Sequence, residues 1–314
     1  MIGKNCTNIP QMALPKAPPL RHRGNNMGND SSLAEEALDQ EYRDENEDEN
    51  RRYHSWNRIK NDFYPAGKIV AGIEPGFYNV EDSMNGHYFV RIPIRLENIV
   101  RLQDDAVQEI LEDIDTFWGR KDFFDAYGFP FKRGILISGS QGTGKSSIIR
   151  LIIQDLIKRG GICINMTNVY DFLEGIRALR SIQPTIPVVV LMEDIENLLG
   201  QDESRILNLL DGIERIDHCV FLATTNHAEN LPETIKNRPS RFDSHFVIGN
   251  PNTENRRFFL ENIILNNDID DDTLDLWADQ TEGLSLAHLK ELVISVKMLG
   301  KDFRETVLRL KGME

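Results

Sequence analysis

Long hydrophobic runs are missing from this 314-residue chain. The longest, such as Ile148 to Ile153 and Pro187 to Met192, fall far short of the roughly 18–20 apolar residues that cross a bilayer, so no membrane insertion is expected. Cysteine is scarce: Cys6, Cys163 and Cys219 are odd in number and widely spaced, and two lie inside apolar runs, which reads as reduced core thiols and excludes a disulfide or metal framework. The N-terminus carries Pro10, Pro15, Pro18 and Pro19 among scattered bases. It has neither the continuous apolar stretch of a secretory signal nor an Arg-rich amphipathic pattern, which makes the cytoplasm the expected compartment. Positive charge is short as well. With 36 Lys and Arg against 50 Asp and Glu the formal net charge is −14, which opposes attraction to a phosphate backbone and disfavours a nucleic-acid partner.

Much of the negative charge is local. The segment Asp30 to Arg52 holds ten carboxylates against three arginines and no sustained apolar period. Residues 1–52, rich in Pro, Asn and acid, are therefore expected to be a disordered tail. From Tyr53 the composition changes. Phe77 to Asp82 and Tyr88 to Leu96 flank Asn85-Gly86, and the second run alternates Val90, Ile92, Ile94 and Leu96 with polar or aromatic residues. That pattern predicts a β-hairpin, with Pro93 placing the second strand at a sheet edge. We set residues 53–105 apart as a small hairpin-containing segment. Behind Asp104 and Asp105, the residues Val107, Ile110, Leu111, Ile114, Phe117 and Trp118 recur at helical spacing, so a helix leads into the next domain.

From Gly134 onward, short apolar runs alternate with helical patterns: Ile135–Ser138, a helix to Lys158, Ile162–Asn165, a helix through Leu179, Val188–Met192, a helix near Ile206–Leu210, Cys219–Ala223, then Phe246–Ile248. Five strands alternating with helices imply an α/β domain over 106–250, its parallel sheet covered on both faces. After Pro251 only helical periods remain, at Glu254–Leu265, Thr273–Asp279, Leu286–Leu299 and Phe303–Leu310, which predicts a small helical domain over 251–314.

The segment Gly139-Ser140-Gln141-Gly142-Thr143-Gly144-Lys145-Ser146 fits G-x-x-x-x-G-K-[ST], directly after an apolar strand and opening an amphipathic helix. Glycines let such a loop turn its N–H groups inward, and the helix N-terminus adds partial positive charge. Lys145 then reaches the β- and γ-phosphates and the Ser146 hydroxyl ligates Mg²⁺, with Ser147 closing the loop. A second strand, Val188 to Met192, ends in Glu193-Asp194-Ile195-Glu196. Acids at a strand end are also ordinary turn chemistry. Beside a phosphate loop they can divide two tasks, with Glu193 on the metal side and Asp194 orienting the attacking water. A third strand ends in Thr224-Thr225-Asn226, where Asn226 either terminates the strand or senses the γ-phosphate. Further on, Arg238 and Arg241 stand three apart in a short loop, as surface charge or as guanidinium groups for a transferring phosphoryl.

Taken together these motifs resemble the AAA ATPases, from about Phe123 to the C-terminus. The resemblance implies ATP and Mg²⁺ as ligands, a P-loop sheet ordered 5-1-4-3-2, and a helical lid beginning at Gly283-Leu284-Ser285-Leu286-Ala287-His288-Leu289, in the subgroup without a sensor arginine there. It also implies a ring of six or seven identical subunits in which Arg238 and Arg241 enter the neighbour's site. Within that family the chain looks most like the mitochondrial Rieske-protein translocase branch, through its Glu-Asp order, Leu210-Asp211-Gly212, and Thr224 to His227. It departs from that branch in having no membrane helix. Ser140-Gln141 and Ser240 replace the family's usual Pro-Pro and Gly, and no aromatic-x-Gly pore loop stands between Asn165 and Pro187. Asp194 is one methylene shorter than the usual Glu, so a slow ATPase is expected.

The leading functional expectation is a homo-oligomeric ATPase that remodels or moves a protein substrate. A nucleotide-controlled assembly scaffold with little turnover is the alternative. A DNA-handling ATPase is disfavoured by the acidity, and a small-molecule kinase by the paired arginines and the lid.

Overall fold

Apolar runs such as Val188 to Met192 have no polar face to give to water and are stable only when covered on both sides. The computed structural model describes residues 55–59, 62–66, 70–84, 86–94, 99–102, 104–212, 216–236, 241–264 and 269–313. The tail over 1–52 and Arg238 lie outside them. The chain divides into two units, one within the first 70 residues and one from Ala71 onward. The first contains an antiparallel pair, β1 (Ser55–Ile59) and β2 (Asp62–Ala66), that the sequence patterns did not reveal.

The second unit runs β3 (Gly76–Glu81), β4 (Tyr88–Arg91), α1 (Asp105–Trp118), α2 (Lys121–Tyr127), β5 (Lys132–Ser138), α3 (Lys145–Lys158), β6 (Ile162–Asn165), α4 (Val169–Ile182), β7 (Val188–Met192), α5 (Ile195–Leu210), β8 (Cys219–Thr225), α6 (Glu233–Lys236) and β9 (Ser244–Val247). The helical part follows as α7 (Thr253–Ile263), α8 (Asp271–Gln280), α9 (Leu286–Val293, continued by a π turn to Met298) and α10 (Phe303–Lys311). Side-chain caps start most of these helices where the sequence offers them: Asp104, Asn168, Asn252, Asp270, Ser285 and Asp302 each accept from an N–H of the first turn.

One seven-stranded sheet carries the fold, in the order β4-β3-β6-β7-β8-β5-β9. Read from the β9 edge, the first five strands follow the 5-1-4-3-2 order, with β5 in parallel register between β8 (Leu136 opposite Ala223) and β9 (Leu136 opposite His245). Successive side chains go to opposite faces. Leu136, Val188, Val190 and Phe221 pack with the α4 and α5 side, while Ile135, Ile137, Val189 and Leu222 pack with α1 and α3. The hairpin is not a separate segment, contrary to the 53–105 boundary: β3 runs parallel to β6, with Phe77 opposite Cys163, and so extends the same sheet. The physical reason is burial, because Tyr78 and Val80 become core residues of the α4 face. β4 is one edge strand, opposite β9, and stops at Arg91, two residues before Pro93. A third core, built on Leu260, Trp277, Leu289 and Leu310, holds the lid together.

Candidate functional site

The phosphate loop and the residues that follow β7 and β8 lie together at one end of the central strands, where β5, β7 and β8 stop, whereas Arg241, which precedes β9, lies at the opposite end beside Gly134. β5 gives way at Gly139 to the loop that opens α3. Gly142 (φ +83°) and Gly144 (φ +113°) take left-handed conformations there, which explains glycine at both. A Cβ on Gly142 would stand 2.8 Å from Ser285 Oγ and Ala287 Cβ, and one on Gly144 would stand 2.8 Å from Leu286 Cδ1. The lid helix α9 therefore rests directly on the loop, and the Ala287 N–H donates to the Gly142 carbonyl at 3.2 Å. Thr143 is buried and its hydroxyl donates to the Ser140 carbonyl at 3.0 Å, closing the turn. Gln141 and Ser146 are exposed, and Ser147 is half-buried behind Ser146 in the first turn of α3.

Lys145 is 9% exposed, and its ammonium donates to the Gly139 carbonyl (2.6 Å), the Ser140 carbonyl (2.9 Å) and Asn226 Oδ1 (2.7 Å). Loss of solvation lowers its pKa from the ordinary lysine range, and the carboxylates of Asp194 and Glu196 pull it back up. Asn226 passes the contact on, since its Nδ2 donates to Asp194 Oδ1 at 2.9 Å. Three residues from three separate strand ends thus form one chain: ammonium, amide, carboxylate. Asp194 adopts φ 46° and ψ 63°, a left-handed conformation that Asp tolerates better than most residues. Its backbone N–H is held by Thr224 Oγ1 at 3.3 Å. The turn points its carboxylate at Asn226 and leaves α5 without a side-chain cap.

Glu193 precedes it. Desolvation raises the Glu193 carboxyl above its ordinary range, the charge of Asp194 adds to this, and Arg150 on α3 works the other way. Among the described residues no three His, Cys, Asp or Glu converge on a metal-sized site. The donor set here, one hydroxyl (Ser146) and one carboxylate (Glu193) near a cationic loop, fits Mg²⁺ that brings its remaining oxygens with phosphates and water.

Arg241 departs from its expected role. Its side chain is 4% exposed, Nε and Nη2 each donate to an Asp211 oxygen at 2.9 Å, and Nη1 donates to the Thr234 carbonyl. A Cβ on Gly134 would stand 2.1 Å from the Arg241 carbonyl oxygen, so the backbone is also pressed against β5. This geometry fits an internal anchor at the approach to β9 and not a group free to reach a neighbouring subunit.

A cavity of about 420 Å³ opens between the sheet and the lid, beside Thr143, Gly144 and Ser147. Its walls are mostly apolar, with Val100, Ile148, Ile248, Phe259, Leu286 and Val293 prominent. The volume and character suit a purine nucleoside whose phosphates extend along the loop. The sequence reading missed this pocket because its walls come from five separate stretches that share no motif. It also missed Glu196 and Thr225 as a bonded pair: the Thr225 hydroxyl donates to Glu196 Oε1. Only the adjacency of Thr225 to Asn226 signalled it. Between β6 and α4 lie just three residues, and α4 is unbroken, which leaves no room for an extended pore loop. Among the described residues no helix is long and apolar enough to cross a membrane.

Residues 135–250 match the family model described as ATPase family associated with various cellular activities (AAA). Over 177 residues the chain is 29% identical to the probable mitochondrial chaperone bcs1 of Schizosaccharomyces pombe, a match covering 52% of this chain and 38% of that protein. It is 29% identical over 213 residues to an AAA-ATPase of Arabidopsis thaliana, covering 57% and 37%. It is 28% identical over 223 residues to the ATP-dependent zinc metalloprotease FtsH 1 of Conexibacter woesei, covering 62% and 33%. The chain spans 33–38% of the length of these curated relatives.

Proposed function

We propose that the chain, whose residues 135–250 match the AAA ATPase family model, binds and hydrolyses ATP as a homo-oligomeric ring that remodels or moves a protein substrate. The observation that carries this reading is the bonded chain Lys145–Asn226–Asp194 at the mouth of the phosphate loop. It brings a phosphate-binding cation and a water-orienting carboxylate to opposite ends of one amide. Magnesium, when bound, supplies charge neutralisation for the triphosphate, and Ser146 with Glu193 are the residues that would hold it. Phosphates displace the Gly139 and Ser140 carbonyls from Lys145. Asn226 then has one end on the phosphate side and the other on Asp194, which accepts a hydrogen bond from the attacking water. The short Asp194 side chain makes the turnover slow. Arg238, from the next subunit, completes the charge on the transferring phosphoryl, while Arg241 serves as an internal anchor bonded to Asp211.

The relatives named chaperone and metalloprotease support a protein as the substrate, and the three-residue connection before α4 argues against threading an unfolded chain through a pore loop. Steady-state phosphate release tests the reading against a nucleotide-controlled scaffold. Wild-type protein should release phosphate in proportion to active subunits and Lys145→Ala should not; equal rates in the two would leave only the scaffold.

A further inference from the structure

We infer that Glu196 and Thr225 are a positioning pair that aims Asn226 between the phosphate loop and Asp194. The inference rests on the hydrolytic reading above. Thr225 is fully buried at the end of β8, and a threonine hydroxyl has one proton to donate. That proton goes to Glu196 Oε1 in the first turn of α5. Thr225 Oγ1 itself accepts from the His227 N–H at 2.9 Å, a bond that steps over residue 226 and fixes the backbone on both sides of it. The Thr225 carbonyl accepts from the Gly139 N–H at 3.3 Å, so the residue also touches the start of the phosphate loop. Glu196 therefore locks a hydroxyl, the hydroxyl locks a turn, and the turn projects the one amide that meets both Lys145 (2.7 Å) and Asp194 (2.9 Å). Neither Glu196 nor Thr225 makes a bond to Lys145 itself, which is why we assign them to positioning and not to catalysis.

Removing the hydroxyl leaves the His227 N–H and a Glu196 oxygen without partners and lets the Asn226 turn relax. A lost hydrogen bond to a charged group corresponds to about 10- to 100-fold in rate. Thr225→Val and Glu196→Ala should each lower phosphate release by about that factor while ATP affinity, measured by calorimetric titration, does not weaken. The double variant should be no slower than either single one, because the two side chains act as one unit. Thr225→Ser keeps the hydroxyl and should retain wild-type turnover to within about threefold, on the same hydrogen-bond reasoning. In the nucleotide-free protein, hydrogen exchange at the His227 amide should speed up in Thr225→Val and stay slow in Thr225→Ser. Should Thr225→Val fail to fold, Glu196→Ala on the half-buried side decides. Turnover within about twofold of wild type in Glu196→Ala, or loss of ATP affinity in step with turnover, would overturn the pair while leaving the ATPase reading intact. Failure of wild-type protein to outpace Lys145→Ala would instead remove the ATPase reading itself.

Discussion

Replacing Arg241 by alanine separates an anchor from a finger, because the two roles predict opposite results. The guanidinium is 4% exposed and Asp211 16%, so the pair is barely screened by water, and both Asp211 oxygens are engaged at 2.9 Å. Removing the cation takes two bonds from a largely buried carboxylate and also removes the guanidinium bond to the Thr234 carbonyl. Breaking a buried pair by deleting one partner costs about 3–5 kcal/mol. For a unit of this size each kcal/mol shifts Tm by about 2–4 °C, so Arg241→Ala should melt roughly 6–20 °C lower in calorimetry. Replacing both members with apolar groups, Arg241→Met with Asp211→Leu, should recover most of that loss, since the desolvated charge is gone. Arg241→Ala that melts within about 2 °C of wild type yet abolishes hydrolysis would refute the anchor, and rescue of its activity by mixing with Asp194→Asn subunits would restore the finger reading.

Arg238→Ala should show the reverse pattern: unchanged melting and ATP binding, hydrolysis down by about 10³–10⁵-fold, and partial recovery on mixing with Asp194→Asn subunits, scored by phosphate release. Asn226→Ala removes the acceptor that holds Lys145 in the empty site, so ATP titration should show affinity equal to or tighter than wild type while turnover falls. For Glu193, partial desolvation and the adjacent Asp194 charge raise the folded-state pKa above the ordinary glutamate range, so folding is favoured by protonation and the cost of the charge grows as pH rises through the folded value. Glu193→Gln should therefore raise the Tm of nucleotide-free protein at pH 7, and the gain should vanish on acidification below about 4, where the side chain is protonated in both states.

How much of this was legible in the sequence depends on how local each signal is. The phosphate loop announces itself because its glycines, lysine and serine are contiguous and the backbone geometry needs them in that order. The alternation of strands with helices and the edge position of β4, marked by Pro93, were also readable, since apolar runs and a missing N–H act locally, whereas the strand order came only with the family resemblance. The hairpin's membership in the main sheet was not, because β3 pairs with β6 across some 85 residues and nothing in either run names its partner. Arg241 misled for a related reason. Its motif fixes what the residue is, whereas its role is set by Asp211, thirty positions away, which the fold places against it. The lid-side pocket was invisible because its walls share no pattern, only a location.

The most direct test of the central claim pairs ATP titration with phosphate release in Lys145→Ala and Asp194→Asn. The ammonium acts on bound phosphate and the carboxylate on the attacking water, so Lys145→Ala should lose affinity while Asp194→Asn keeps it and loses turnover. Equal loss of affinity in both variants, or undiminished phosphate release in Asp194→Asn, would contradict the division of labour drawn from the Lys145–Asn226–Asp194 chain.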